Sequence, residues 1–177
     1  MHAAILLFER FDALDAVTAH EALAGAGVTA TFVGERIGPV RGDSRSIELT
    51  VDAVLDELPH PDIVVVPGGA GIHRHLVNGT VHRWLRAADT TSTWTIAIGG
   101  GSLIAATAGV LDGRAVAADD RTFAVLGRHR AEPVRQATVI DGRYGTTVSS
   151  HHAPDLIRDV LALTTHPQHL DAKGTRA

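Results

Sequence analysis

The sequence predicts one α/β domain built on a doubly wound, mainly parallel sheet with helices on both faces. Two observations carry this. Three apolar runs, residues 3–8, Ile63–Val66 and Trp94–Ile98, are continuous rather than alternating, as in parallel strands buried on both faces. Each run is followed by turn residues and then a helical pattern, at 17–26, 71–88 and 102–108. Strand–helix alternation of this kind implies right-handed crossovers.

The remaining elements follow in order. A β-branched stretch at 28–33 reads as a further strand, and 40–51 lies between it and the second apolar run. Within 137–148, Asp141-Gly142 divides 137–140 from 144–148, a hairpin signal. The last helix is expected over about 154–163, with Pro154 early in it. Thr18-Ala19-His20-Glu21 fits a capping box with threonine as N-cap. Trp84 and Trp94 read as packing residues. Residues 1–165 are expected to form the single domain and 166–177 a loose, polar tail.

With 177 residues there is length for one good core but not for two ordinary domains. Hydrophobic residues are 45% and charged residues 20%, a globular balance. A formal charge of -4, with scattered arginines and Lys173 as sole lysine, gives no field that recruits nucleic acid or anionic membrane. The chain has no cysteine. Disulfides, zinc-thiolate sites, iron–sulfur clusters and thiolate catalysis are therefore excluded together. The N-terminal apolar run meets Glu9 and Arg10 and has no basic region before it. It reads as neither a signal peptide nor a span, and a cytoplasmic setting is expected.

Ligands of doubly wound sheets sit beyond the carboxyl ends of the strands. Three turns there are unusual. Pro67-Gly68-Gly69-Ala70-Gly71 could aim backbone N–H groups at an anion or a developing oxyanion, or simply let the chain reverse. Gly99-Gly100-Gly101 opens a helix at Ser102 but lacks the last glycine of a dinucleotide fingerprint and follows the wrong strand. Ser102 has no G-x-S-x-G elbow around it and reads as a helix-start residue rather than a nucleophile. The third turn carries Asp12 and Asp15, and the Asp15 carboxylate either faces the loop cluster or solvates a turn. Eleven histidines, among them His73, His75, His151 and His152, invite a metal reading. No helical spacing supports it, and no metal is expected.

These residues carry a resemblance. Phe11-Asp12-Ala13-Leu14-Asp15, Gly38-Pro39-Val40, the run from Pro61-Asp62 through Gly71, and Gly101-Ser102-Leu103 leading to Ala108-Gly109-Val110-Leu111-Asp112-Gly113-Arg114 follow one order and spacing. The chain resembles the ThiJ/PfpI (DJ-1-type) superfamily, in its isocyanide-hydratase-like branch, over roughly residues 3–163. The resemblance implies a flavodoxin-like fold and a homodimer. It also implies a nucleophilic cysteine on the turn after Trp94–Ile98, and that position is Gly99. A following threonine becomes Gly100, a His-Trp pair becomes Asp119-Asp120, a Gly-Pro becomes Thr18-Ala19, and a glycine-rich segment becomes Ser149-Ser150-His151-His152-Ala153. Asp15 matches the branch's acid/base aspartate.

The departures thus cluster at the expected pocket, and they introduce titratable groups. The expectation is a cofactor-independent acid–base enzyme of lyase, hydratase, isomerase or cyclase type. It would act on a small organic molecule without a covalent cysteine intermediate. Asp15 transfers the proton, with His151 and Asp119 as supporting polar groups. The amides of Gly69, Ala70 and Gly100 hold an oxyanion or carboxylate, and Gly99 widens the pocket floor. The rival is a non-catalytic small-molecule binding or sensing protein on the same fold. The glyoxalase, deglycase and peptidase activities implied by the superfamily would need the thiolate Gly99 cannot supply.

Overall fold

The computed structural model describes residues 1–77 and 79–165; the tail expected at 166–177 lies outside them. Strand β1 (His2–Leu6) leads into helix α1 (Ala13–Gly25), then β2 (Thr29–Gly34), the hairpin pair β3 (Gly38–Arg41) and β4 (Glu48–Val51), and β5 (Ala53–Val54). Next come β6 (Ile63–Val66), a 3-10 segment (Ala70–His75), α2 (Thr80–Asp89), β7 (Trp94–Ile98) and α3 (Gly101–Thr107). The chain continues through β8 (Ala115–Ala117), α4 (Phe123–Arg128), β9 (Glu132–Val134), β10 (Thr138–Asp141), β11 (Tyr144–Thr147) and α5 (Ala153–Thr165).

Seven strands form the sheet, in the order β10-β11-β7-β6-β1-β2-β5. Every pairing in it is parallel except the β10–β11 hairpin. All four residues of β6 and all five of β7 are buried, which is why their sequences run apolar without alternation. From β1 the chain crosses to β2 in one direction, and from β6 to β7 in the other. Right-handed crossovers then put α1 and α2 on opposite faces. Helix α1 packs with α5, and α2 with α3. The winding direction reverses between β1 and β6, so the crevice beyond their carboxyl ends is where such a fold binds ligands.

Trp84 and Trp94 are buried as expected, with indole N–H groups donating to the Leu58 carbonyl and the Thr164 hydroxyl. Two local expectations are corrected. The cap of α1 is Asp12, not Thr18: its carboxylate accepts the Leu14 and Asp15 N–H groups at 2.9 and 3.2 Å. The cap therefore lies six residues before the one the Thr18/Glu21 pattern suggested, and Asp15 lies in the first turn of the helix. The expected helix at 71–88 is two pieces, the 3-10 segment and α2, with Gly79 in extended backbone at the α2 N-cap.

Candidate active site

Asp15 is the buried carboxylate of the crevice. Along α1 it shares a face with Ala19 and Leu23, at four-residue intervals, and that face points into the protein. Only 4% of Asp15 is exposed. Its Oδ2 accepts the Gly68 N–H at 2.9 Å. Burial is the main cause that lifts its pKa from 3.8 to about 6; the Gly68 N–H opposes this, the charge of Asp12 adds to it, and the amide and hydroxyl of Ser150 oppose it.

The 67–71 turn is shaped by crowding. A Cβ on Gly68 would sit 2.9 Å from the Gly100 nitrogen and 3.1 Å from Asp15 Oδ2. Gly69 has φ +127°, and a side chain there would collide with the backbone of Arg10, Phe11 and Asp12. A Cβ on Gly71 would collide with the Glu9 carbonyl. Asp12 N–H donates to the Gly68 carbonyl, and Gly71 N–H to the Arg10 carbonyl, so the 9–12 and 68–71 segments are laced together.

The turn after β7 is different. Gly101 packs against the end of β6, where a Cβ would collide with the Val66 carbonyl. Gly99 has φ +53°, yet a Cβ there would lie 3.6 Å from Asp15 Oδ2 and 3.6 Å from the Val148 carbonyl oxygen. Those are ordinary contact distances. The elbow keeps left-handed backbone and aims its open side at the Asp15 carboxylate.

Of the expected oxyanion donors, Gly69 and Gly100 have N–H groups that meet no acceptor among the described residues. The Ala70 N–H is already taken. The Asp43 carboxylate accepts it at 2.8 and 3.0 Å through its two oxygens, capping the 3-10 segment from the β3–β4 hairpin tip.

The supporting groups are less central. Asp119 is exposed, and its Oδ1 accepts the Arg121 N–H and the Thr122 N–H and hydroxyl. Burial would raise its pKa, but these Thr122 and Arg121 hydrogen bonds outweigh it and hold the carboxyl below its usual value. That carboxylate closes its own turn. His151 is exposed, on a 3-10 segment (Ser150–His152) that abuts α1, with its ring edge-on to His152 at 5.2 Å. Ser150, one residue earlier and absent from the sequence-derived set, is the member of this segment that acts on Asp15. Ser102 is 1% exposed, and its hydroxyl has no partner among the described residues, so it does not face solvent.

Among the described residues no three His, Asp or Glu side chains converge as a metal site. None of the described helices is long and apolar enough to cross a membrane. A cavity of about 610 Å³ lies outside the Asp15 crevice, lined by Phe8, Val40, Val51, Arg74, His75 and Val81 among others.

The DJ-1/PfpI family model matches residues 1–163. The chain belongs to the DJ-1/PfpI family. It is 25% identical over 165 residues to an isonitrile hydratase of Pseudomonas putida, an alignment covering 90% of this chain and 72% of that protein. Its fold matches a two-domain protein of Anabaena variabilis with DJ-1/ThiJ/PfpI-like and ferritin-like domains, at TM-score 0.84 and 18% identity. That match covers 99% of this chain and only 51% of the Anabaena protein, so the chain spans about half its length. A ThiJ/PfpI family protein from Pseudomonas syringae matches at TM-score 0.83 and 18% identity, over 96% of this chain and 76% of that one. DJ-1beta of Drosophila melanogaster matches at 0.80 and 21%, over 92% and 89%. The flavodoxin-like α/β fold and the family membership are both as the sequence indicated.

Proposed function

We propose that this chain is a cytoplasmic, cofactor-independent acid–base enzyme that hydrates, eliminates from or isomerises a small organic molecule without a covalent enzyme intermediate. The observation that carries this reading is Asp15: a carboxyl with a pKa raised to about 6, buried at the sheet's switch point and facing the glycine elbow. Such a group is mostly ionised near neutrality, so it accepts a proton, and is close enough to neutrality to return one. The N–H groups of Gly69 and Gly100 would stabilise negative charge developing on the substrate. Ala70 would join them only where the substrate displaces Asp43. The likeness to isonitrile hydratase favours the hydration direction and supplies a first set of probes.

The test uses a panel of alkyl and aryl isonitriles with the wild type and Asp15→Asn. Turnover should fall by about 100-fold or more in the variant, while ligand affinity changes less than about threefold. Unchanged turnover would remove Asp15 from the mechanism.

The binding-protein reading is favoured by one observation, the cavity of about 610 Å³ away from Asp15, a size suited to small ligands. It predicts a ligand that binds tightly, is never converted, and is insensitive to Asp15→Asn. A homodimer is part of the proposal. Leu14, Val17 and Ile47, at 64%, 39% and 46% exposure, leave apolar surface near the crevice rim that a second copy would cover. Sedimentation equilibrium should give twice the chain mass; a monomer at micromolar concentration would contradict it.

A further inference from the structure

Gly99 is the one glycine of the crevice where crowding leaves room for a side-chain-sized group. Two acceptors border that room, Asp15 Oδ2 and the Val148 carbonyl oxygen, each 3.6 Å from where a Cβ would be. The Val148 carbonyl takes no N–H or O–H from any described residue, although its own N–H is bonded to the Ala137 carbonyl. Asp15 Oδ2 accepts the Gly68 N–H, and the Ser150 amide and hydroxyl also act on the carboxyl; a carboxylate has about four acceptor sites, so it can take a further donor. Gly99, Gly100, Val148, Ser149 and Ser150 are all partly exposed, so solvent reaches the spot. Two acceptors that border one open space suit a ligand that offers two hydrogens and keeps a lone pair for chemistry. Water does that.

We propose that the space beside Gly99 seats the nucleophilic water of a hydration reaction, donating one hydrogen to Asp15 Oδ2 and the other to the Val148 carbonyl. This rests on the acid–base reading and adds the nucleophile to it. The substrate class is a molecule with a polarised multiple bond to an electrophilic carbon. As the water oxygen bonds to that carbon, its O–H bond toward Asp15 breaks and the proton moves to the carboxylate. The π electron pair settles on the neighbouring atom or, in an isonitrile, on the attacked carbon itself, and that atom takes the proton back from Asp15. The net change is addition of H and OH; nothing is oxidised or reduced, and Asp15 ends ionised. Gly99 acts by leaving the seat open, and Val148 by fixing the direction of the water's lone pair. The groups that act on the Asp15 carboxyl are Asp12, the Gly68 N–H and Ser150.

Gly99→Ala places a methyl group in the seat. Gly109→Ala is the control: it has the same left-handed backbone problem at φ +83°, open space around its Cβ, and no place in the crevice. Crystal structures should show an ordered water bridging Asp15 and Val148 in the wild type and none in Gly99→Ala. Hydration of the isonitrile probes should fall by about 100-fold in Gly99→Ala, with KM little changed, and stay near wild type in Gly109→Ala. The Asp15 carboxyl, followed by carbon NMR, should titrate higher in Gly99→Ala because its charged form loses a donor. No bridging water in the wild type, or full hydration by Gly99→Ala, overturns the seat. An inactive Asp15→Asn beside an active Gly99→Ala leaves the acid–base reading standing and removes only the water. If no probe is turned over, the crystal water and the Asp15 titration decide, and an unshifted titration counts against the seat.

Discussion

The two glycine-rich turns of the crevice are built for different reasons. In the 67–71 turn every glycine is required by what it touches: Asp15 and Gly100 at Gly68, the Arg10–Phe11–Asp12 backbone at Gly69, and the Glu9 carbonyl at Gly71. In the turn after β7 only Gly101 is required in that way, against the Val66 carbonyl, while Gly99 has room for a Cβ. Identical residues thus report opposite constraints. The first turn is scaffold, holding the Gly68 N–H on Asp15. At Gly99 the identity of the residue decides how much space is left beside Asp15.

Substitutions separate the two turns. Gly101→Ala should cost at least about 3 kcal/mol or prevent folding, because backbone on both sides of the contact must shift. Denaturant midpoints would measure it, and a Gly101→Ala protein as stable as wild type would collapse the distinction.

Asp15→Asn comes next, with the opposite sign. Folding raises the Asp15 pKa from 3.8 to about 6, so the folded state holds the proton more tightly than the unfolded one. Its contribution to stability is fully present below pH 3.8 and lost as pH rises through 6. At pH 8 the variant should therefore be more stable than wild type by up to about 3 kcal/mol, and near pH 4 the two should converge. Equal stability at all pH values would mean the carboxyl is not buried as described. The smallest effect is Gly99→Ala, about 1–2 kcal/mol for a Cβ in left-handed backbone without a clash. A loss as large as that of Gly101→Ala would show that the elbow is as crowded as the scaffold turn.

Much of the frame was legible in the sequence. Ile63–Val66 and Trp94–Ile98 are strands over the expected residues because burial on both faces leaves an unbroken apolar run. Asp141-Gly142 makes the expected hairpin, with Gly142 at φ +59°. The short elements β5, β8, β9 and α4 were missed, since two to six residues give too little periodicity. Thr18 and Glu21 imitated a capping box inside a helix already capped by Asp12. The stronger signal was Asp12 itself, followed by Asp15, Ala19 and Leu23 on one helical face.

The site was legible where side chains carry it and hidden where backbone or distant residues do. Asp15 stood out. Asp43 did not, because it reaches Ala70 across 27 positions from a hairpin tip. The Val148 carbonyl belongs to the main chain and has no signature in a sequence. Ser150 rather than His151 approaches Asp15, a distinction of one residue that depends on how the 3-10 segment turns.

In the proposed reaction Asp15 moves the proton at an elbow without a thiol. The most direct measurement is the pH dependence of kcat/KM for isonitrile hydration by the wild type, Asp15→Glu and Asp15→Asn. Acting as base, Asp15 should give a rate that rises with pH and levels off above an inflection near 6. That inflection should move in Asp15→Glu and vanish, with most of the rate, in Asp15→Asn. An inflection near 6 that survives in Asp15→Asn at full rate would place the proton transfer on another group and contradict the account.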